Sequence, residues 1–245
     1  LIDHALGIDW TAVSLAGRTA TLDLLDDTLC AGVAGARAAH ADSVLAVARG
    51  WGEGDPCGVL GRSETRLPTG SAAFVNAFQI HGQEFDCVHE AAVLHPMASV
   101  IAALLAEAAR GEPVDGATFL AAVIVGVDVA VALWLAATGP LTFFRPATAE
   151  IFGAVAGVAR LRNLPRDVAL GAFGYALAFA SGTMQAHLEG RPALPLQVGN
   201  AARGARRACR GRFRAVRHSW RRAADRWRVW LSRLVRAGER LRRFQ

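Results

Sequence analysis

Apolar positions recur at helical spacing along most of the chain. Residues 10–34 carry Leu22, Leu24, Leu25, Leu29 and Val33 in such a pattern, and Gly32 and Gly35 mark its end. A second helix fits 39–49. Residues 50–70 are rich in Gly and Pro and read as a connection, with a short strand near Val59 and Leu60. Ser71 is placed to cap a helix that runs through Asn76 to about Val88. Pro96 opens the next helix, which continues to Arg110. Residues 117–138 are almost wholly apolar and long enough to span a bilayer. Asp128 stands at their middle, where charge is costly in lipid, so a buried core helix is expected, with Asp128 paired inside it. Pro146 starts a helix through Val158, in which Gly153 and Gly157 permit close approach to a neighbour. A turn at 164–167 leads into an apolar helix over 167–180. Residues 190–195 form a loop with two prolines, and a further helix begins at Val198. No alternating strand pattern and no Gly-rich phosphate loop interrupt this order. The pattern predicts an all-α, multi-helix bundle.

Composition supports that reading. Of 245 residues, 53% are apolar and only 7% aromatic. Such a chain is long enough to bury a full core and favours helix packed on helix. The net charge of +6 averages two unlike parts. Residues 203–245 hold 16 Arg against Asp225 and Glu239, a charge of +14, whereas residues 1–202 hold 11 Arg against 19 acids, a charge of −8. Every basic residue is Arg, which removes lysine as a base or Schiff-base former. The four cysteines, at 30, 57, 87 and 209, form no CxxC pair. With no basic-then-apolar leader before residue 1, a reduced, cytoplasmic setting is expected.

Candidate chemistry concentrates in residues 76–96. Three of the seven histidines stand there, His81, His89 and His95, together with Glu84, Asp86 and Glu90. If the helix runs to Val88, His81 and Glu84 share one face, and Asp86 and His89 the neighbouring face. These groups can move protons or grip a polar ligand. The spacing lacks a close His/Cys signature, so no metal site is expected. Glu90 reads as a solvated charge, and Cys87 has little to support a nucleophilic role.

The order of motifs resembles a known family. Leu24-Leu25-Asp26-Asp27-Thr28-Leu29 leads to Val33-Ala34-Gly35, then to Ala72-Ala73-Phe74-Val75-Asn76. His81 with Glu84-Phe85-Asp86 follows, then His95-Pro96 and Gly126-Val127-Asp128. Phe144-Arg145-Pro146, Phe152-Gly153-Ala154, the stretch from Gln185 to Gly190, and Val198-Gly199-Asn200-Ala201-Ala202 complete the series. Residues 10–202 thereby resemble the MmgE/PrpD family, which includes 2-methylcitrate dehydratase and cis-aconitate decarboxylase. The resemblance implies a large helical domain, a smaller α/β lid domain, which is expected to be missing here, and a homodimer. It implies dehydration or decarboxylation of small di- and tricarboxylates, without a metal or other cofactor. Residue by residue, Glu84 and Asp86 match acids of the family's Asp-x-Asp-Asp run, whose third acid is Cys87 here. His95 before Pro96 matches the family's His-Pro, a proton donor or substrate ligand. The resemblance makes Glu84, Asp86 and His95 the catalytic candidates. His81, His89, Arg145, Arg191 and Gln197 are the substrate-binding ones. Arg145 stands where many members have His, and Gln197 lies in a stretch where many have Lys and His. Arg191 lies nearby in sequence and is the candidate to substitute in part for the missing charge.

Residues 203–245 shift to Arg with Trp220, Trp227 and Trp230 interleaved. A codon choice exists for residues 226–238 that, displaced by one base, reads Ala-Gly-Val-Phe-Gly-Tyr. That resembles the family's next segment. The stretch is therefore expected to be non-native, the product of a shifted reading frame, in a chain with little turnover. The alternative is a genuine basic tail that binds nucleic acid or an anionic surface. No membrane partner is expected, and nucleic acid is the lesser expectation.

Overall fold

The computed structural model describes residues 1–52, 54, 56–137 and 143–209. Its helices are α1 (Ile2–Gly7), α2 (Leu15–Gly35), α3 (Ala41–Arg49), α4 (Thr69–His81), α5 (Ala98–Ala108), α6 (Gly116–Leu135), α7 (Arg145–Leu161), α8 (Arg166–Phe179), α9 (Gln185–Leu188) and α10 (Ala193–Cys209). The strands β1 (Cys57–Val59) and β2 (Arg62–Leu67) pair antiparallel. The expected helical bundle is therefore present, with one small hairpin where a single short strand was read.

Local chemistry explains several helix starts. Ser14 accepts from the Gly17 N–H at 3.2 Å to cap α2, and Asp115 accepts from the Thr118 N–H at 2.8 Å to cap α6. Pro146 sits in the first turn of α7, where a missing N–H costs nothing. Ser71 is not the cap of α4: the helix begins earlier, after Pro68, and Ser71 is buried inside it. α10 begins at Ala193 rather than Val198, because Pro195 falls in its first turn and is tolerated there. The expected break at Arg203 falls within α10, whose Ala205 and Ala208 are buried. Residues 210–245, with most of the Arg-rich stretch, lie outside the described residues.

The core is built on α4, α5, α6, α7 and α10. Phe78, Ile80, Ile101, Leu104 and Ile151 are buried within it. Two close helix approaches depend on glycine. A Cβ at Gly153 of α7 would strike the Gly126 carbonyl oxygen of α6, and one at Gly35 of α2 would strike the Gln79 carbonyl of α4. Among the described residues, α6 is the one helix long and apolar enough to cross a membrane. Its packing against α7 is that of a core helix. Asp128 corrects one expectation: it faces outward, is half exposed, and pairs with His4 of α1 at 3.1 Å.

The second correction moves the candidate chemistry. α4 stops at His81, with Gly82 as its C-cap. Glu84 then adopts φ +53° and Val93 φ +50°, left-handed conformations that a helix cannot contain. Glu84, Asp86 and His89 thus stand on a loop over 82–97, and the shared helical faces do not exist.

Candidate active site

The loop folds back on the end of α4 and brings three side chains together. His81 Nδ1 lies 3.2 Å from each carboxylate oxygen of Asp86. His95 Nδ1 lies 3.1 Å from Asp86 Oδ1 and donates to the Asp86 carbonyl oxygen, also at 3.1 Å. The two imidazole rings meet edge to face, with centroids 4.8 Å apart. One carboxylate therefore serves two histidines from opposite ends of the loop. The His81 and Asp86 side chains are fully buried, while that of His95 is 18% exposed.

Electrostatics follow from that geometry. Burial opposes the Asp86 carboxylate, but the hydrogen bonds and charge of the two histidines outweigh it, and its pKa is lowered from 3.8. Burial also opposes the His95 imidazolium. Asp86, and at longer range Glu84, outweigh it, and the pKa of His95 is raised above 6.5. A carbonyl oxygen only accepts, so His95 Nδ1 carries a proton and Nε2 is the nitrogen left for proton exchange. Cys87, next to Asp86, has its thiol pushed up to about 12 by burial and by the Asp86 charge, so it is not a thiolate nucleophile at neutral pH.

Arg145, the first residue of α7, braces the loop. Its Nη1 donates to the Ala92 carbonyl at 2.6 Å, and its guanidinium carbon lies 4.8 Å from the centroid of the Trp134 ring. His89 is a second brace: its Nδ1 accepts from the Ala92 N–H at 3.1 Å, and its backbone bridges Leu94. Phe85, Val88, Val93 and Phe143 expose apolar surface on this loop and on the segment entering α7. Gln197 bonds the backbone of Thr183, which bridges Phe143 at the entry to α7. The Gln197 amide accepts from the Thr183 N–H at 2.6 Å and donates to the Thr183 carbonyl at 3.3 Å. Arg191 is on the surface, 4.0 Å from Glu189. Glu84 is exposed and acts on His95 through its charge.

His81, Asp86 and His95 also offer three metal-donor atoms within 4.8 Å of one another. A metal on both Nδ1 atoms would force the His81 ring proton onto Nε2. That atom is buried and meets no acceptor. Ligating histidines normally donate this proton to a neighbouring acceptor, so the set fits a hydrogen-bonded cluster better than a metal centre.

Sequence reasoning missed Glu150, an acid inside the apolar run of α7. It is fully buried, and burial, with the nearby Asp86 charge adding in the same direction, raises its pKa well above 4.5. A lone acid within an otherwise apolar helix was the available signal.

A model of the MmgE/PrpD N-terminal domain matches residues 1–211. The chain belongs to the MmgE/PrpD family. The match covers the whole described bundle and ends two residues after α10, so the MmgE/PrpD-like part includes Arg203 and Arg206. A search of curated proteins finds no match. The family is dehydratase-like, and the His–Asp cluster lies on its matched domain.

Proposed function

We propose that this MmgE/PrpD chain carries the proton-transfer half of a lyase site for small di- or tricarboxylates. The reaction is dehydration of a 2-methylcitrate-like substrate or decarboxylation of a cis-aconitate-like one. The observation that supports this most is His95. It is partly exposed, its tautomer is set by the Asp86 carbonyl, and the Asp86 carboxylate favours its protonated form.

An imidazolium in that position can serve as a general acid. In a dehydration, the exposed Glu84 carboxylate, near enough to His95 to act on its charge, takes the C–H proton beside a substrate carboxylate. The C–O bond then breaks, and the departing hydroxide takes the Nε2 proton of His95 to leave as water. In a decarboxylation, the same proton goes to the carbanion left by CO2. His81 holds the Asp86 carboxylate from behind and so fixes the partner of the acid. Arg145 acts here as a brace, with an electropositive edge toward the loop. His89 also acts as a brace. The proposal includes a cytoplasmic homodimer.

The test is incubation of the 245-residue protein with 2-methylcitrate, citrate and cis-aconitate, each followed by NMR. The imidazole signals of His95 and the appearance of product are read together. A saturable shift of the His95 signals by a tricarboxylate, absent in His95→Gln and not produced by acetate, supports the reading. No shift with any of the three acids overturns it.

A further inference from the structure

α5 begins immediately beyond His95, and its own sequence supplies no cap. Met97 at the N-cap makes no side-chain hydrogen bond to the first turn. The hydroxyl of Ser99 donates to the Val198 carbonyl of α10 at 3.0 Å. The missing acceptor comes from another helix. Glu150 of α7 reaches across, and its Oε2 accepts from the Ser99 N–H at 2.5 Å. The Glu150 side chain is fully buried, and its other oxygen meets no partner.

A buried carboxyl at a helix N-terminus is well placed as an acceptor, because the first-turn N–H groups have no intrahelical partner. Ser99 stands four positions after His95, and Pro96, with its fixed φ, lies between them. Fixing the first turn of α5 therefore fixes the exit of the loop. Its entry is fixed independently, by the end of α4 at His81. Asp86 and His95 meet between these two anchors.

We infer that Glu150 is a positioning residue for His95: by anchoring the first turn of α5 to α7, it sets the approach of His95 to Asp86. The inference rests on His95 as the proton-transfer group. The groups facing His95 are Asp86 and Glu84 from the loop and His81 from α4. Arg145 of α7 holds the same loop through Ala92, and Glu150 is near enough to Asp86 to feel its charge.

Histidine NMR titration of the full 245-residue chain tests this without turnover, so its outcome is separate from that of the catalytic assay. Glu150→Gln keeps an oxygen acceptor for Ser99 and is expected to leave the His95 titration in place. Glu150→Asp withdraws the carboxyl by one methylene, and Glu150→Ala removes it. Both are expected to lower the His95 midpoint toward its ordinary value, the alanine variant by the larger shift. Ile101→Val weakens the same core without touching the cap and is expected to leave the midpoint unchanged. If Glu150→Ala does not fold, Glu150→Asp alone decides. An unchanged midpoint in Glu150→Asp overturns the inference. A Glu150→Gln midpoint that falls as far as that of Glu150→Asp also overturns it, since charge rather than position would then be responsible.

Discussion

The carboxylate of Asp86 receives His81 at 3.2 Å and His95 at 3.1 Å, so two histidines fourteen residues apart share one buried acceptor. That relationship governs the charge of the cluster and gives the first prediction. Asp86→Asn removes the anion that opposes burial of the His95 imidazolium. The His95 midpoint is expected to fall below 6.5, and the fold to lose roughly 1–3 kcal/mol from weakened buried hydrogen bonds. Histidine NMR and urea unfolding read the two effects. A midpoint that stays raised would contradict the pairing.

The pH dependence has a definite sign. The folded pKa of His95 is raised above 6.5, so its stabilising contribution is complete below that pH and is lost as pH rises through the folded value. The folded pKa of Asp86 is lowered from 3.8, so its contribution is complete above that pH and is lost as pH falls through the folded value. Wild type should exceed His95→Gln in stability by the largest margin between these limits. The margin should shrink on the alkaline side, as urea midpoints measured across pH will show. A margin that grows with rising pH would reverse the assignment.

Arg145 joins α7 to the loop through Ala92 and lies against Trp134. Arg145→Ala should free residues 86–97 to exchange amide protons at least several-fold faster, while α6 exchanges as before. It should also cost about 1 kcal/mol in stability. Hydrogen exchange read by mass spectrometry resolves these segments. Unchanged exchange in the loop would show that His89 braces it alone.

Gly153 sits where the α7 backbone meets the Gly126 carbonyl of α6. Gly153→Ala must push the two helices apart, and a loss of about 1–3 kcal/mol is expected, even though alanine is the better helix former. A thermal melt is sufficient. A rise in Tm would mean that the helices are not in contact there.

The family match ends at residue 211, and the Arg-rich stretch continues beyond it. Deleting residues 212–245 is expected to leave the melting temperature and the His95 titration unchanged. If the stretch binds nucleic acid, the deletion also abolishes a salt-sensitive interaction that the full chain shows on DNA. A deletion that unfolds the body would make the stretch part of the domain.

Much of this protein was legible before folding. Helical periodicity, the prolines at helix starts and the paired glycines of α7 are local or nearest-neighbour properties, and they indicated the bundle and the order of its elements. The ordered motifs pointed to the MmgE/PrpD family, which the match over residues 1–211 confirms. The gathering of three His with Glu84, Asp86 and Glu90 singled out residues 76–96 as the candidate chemistry. Tertiary structure decided which of those residues meet. The helix that periodicity extended to Val88 ends at His81, because the loop satisfies its polar groups through Asp86, His95 and the Arg145 brace rather than through another helical turn. Tertiary contacts pair Gln197 with Thr183 and leave Arg191 beside Glu189. They also bring Glu150 to the first turn of α5, fifty-one residues away in sequence. Such pairings depend on how helices cross in three dimensions, which no local spacing along the chain encodes.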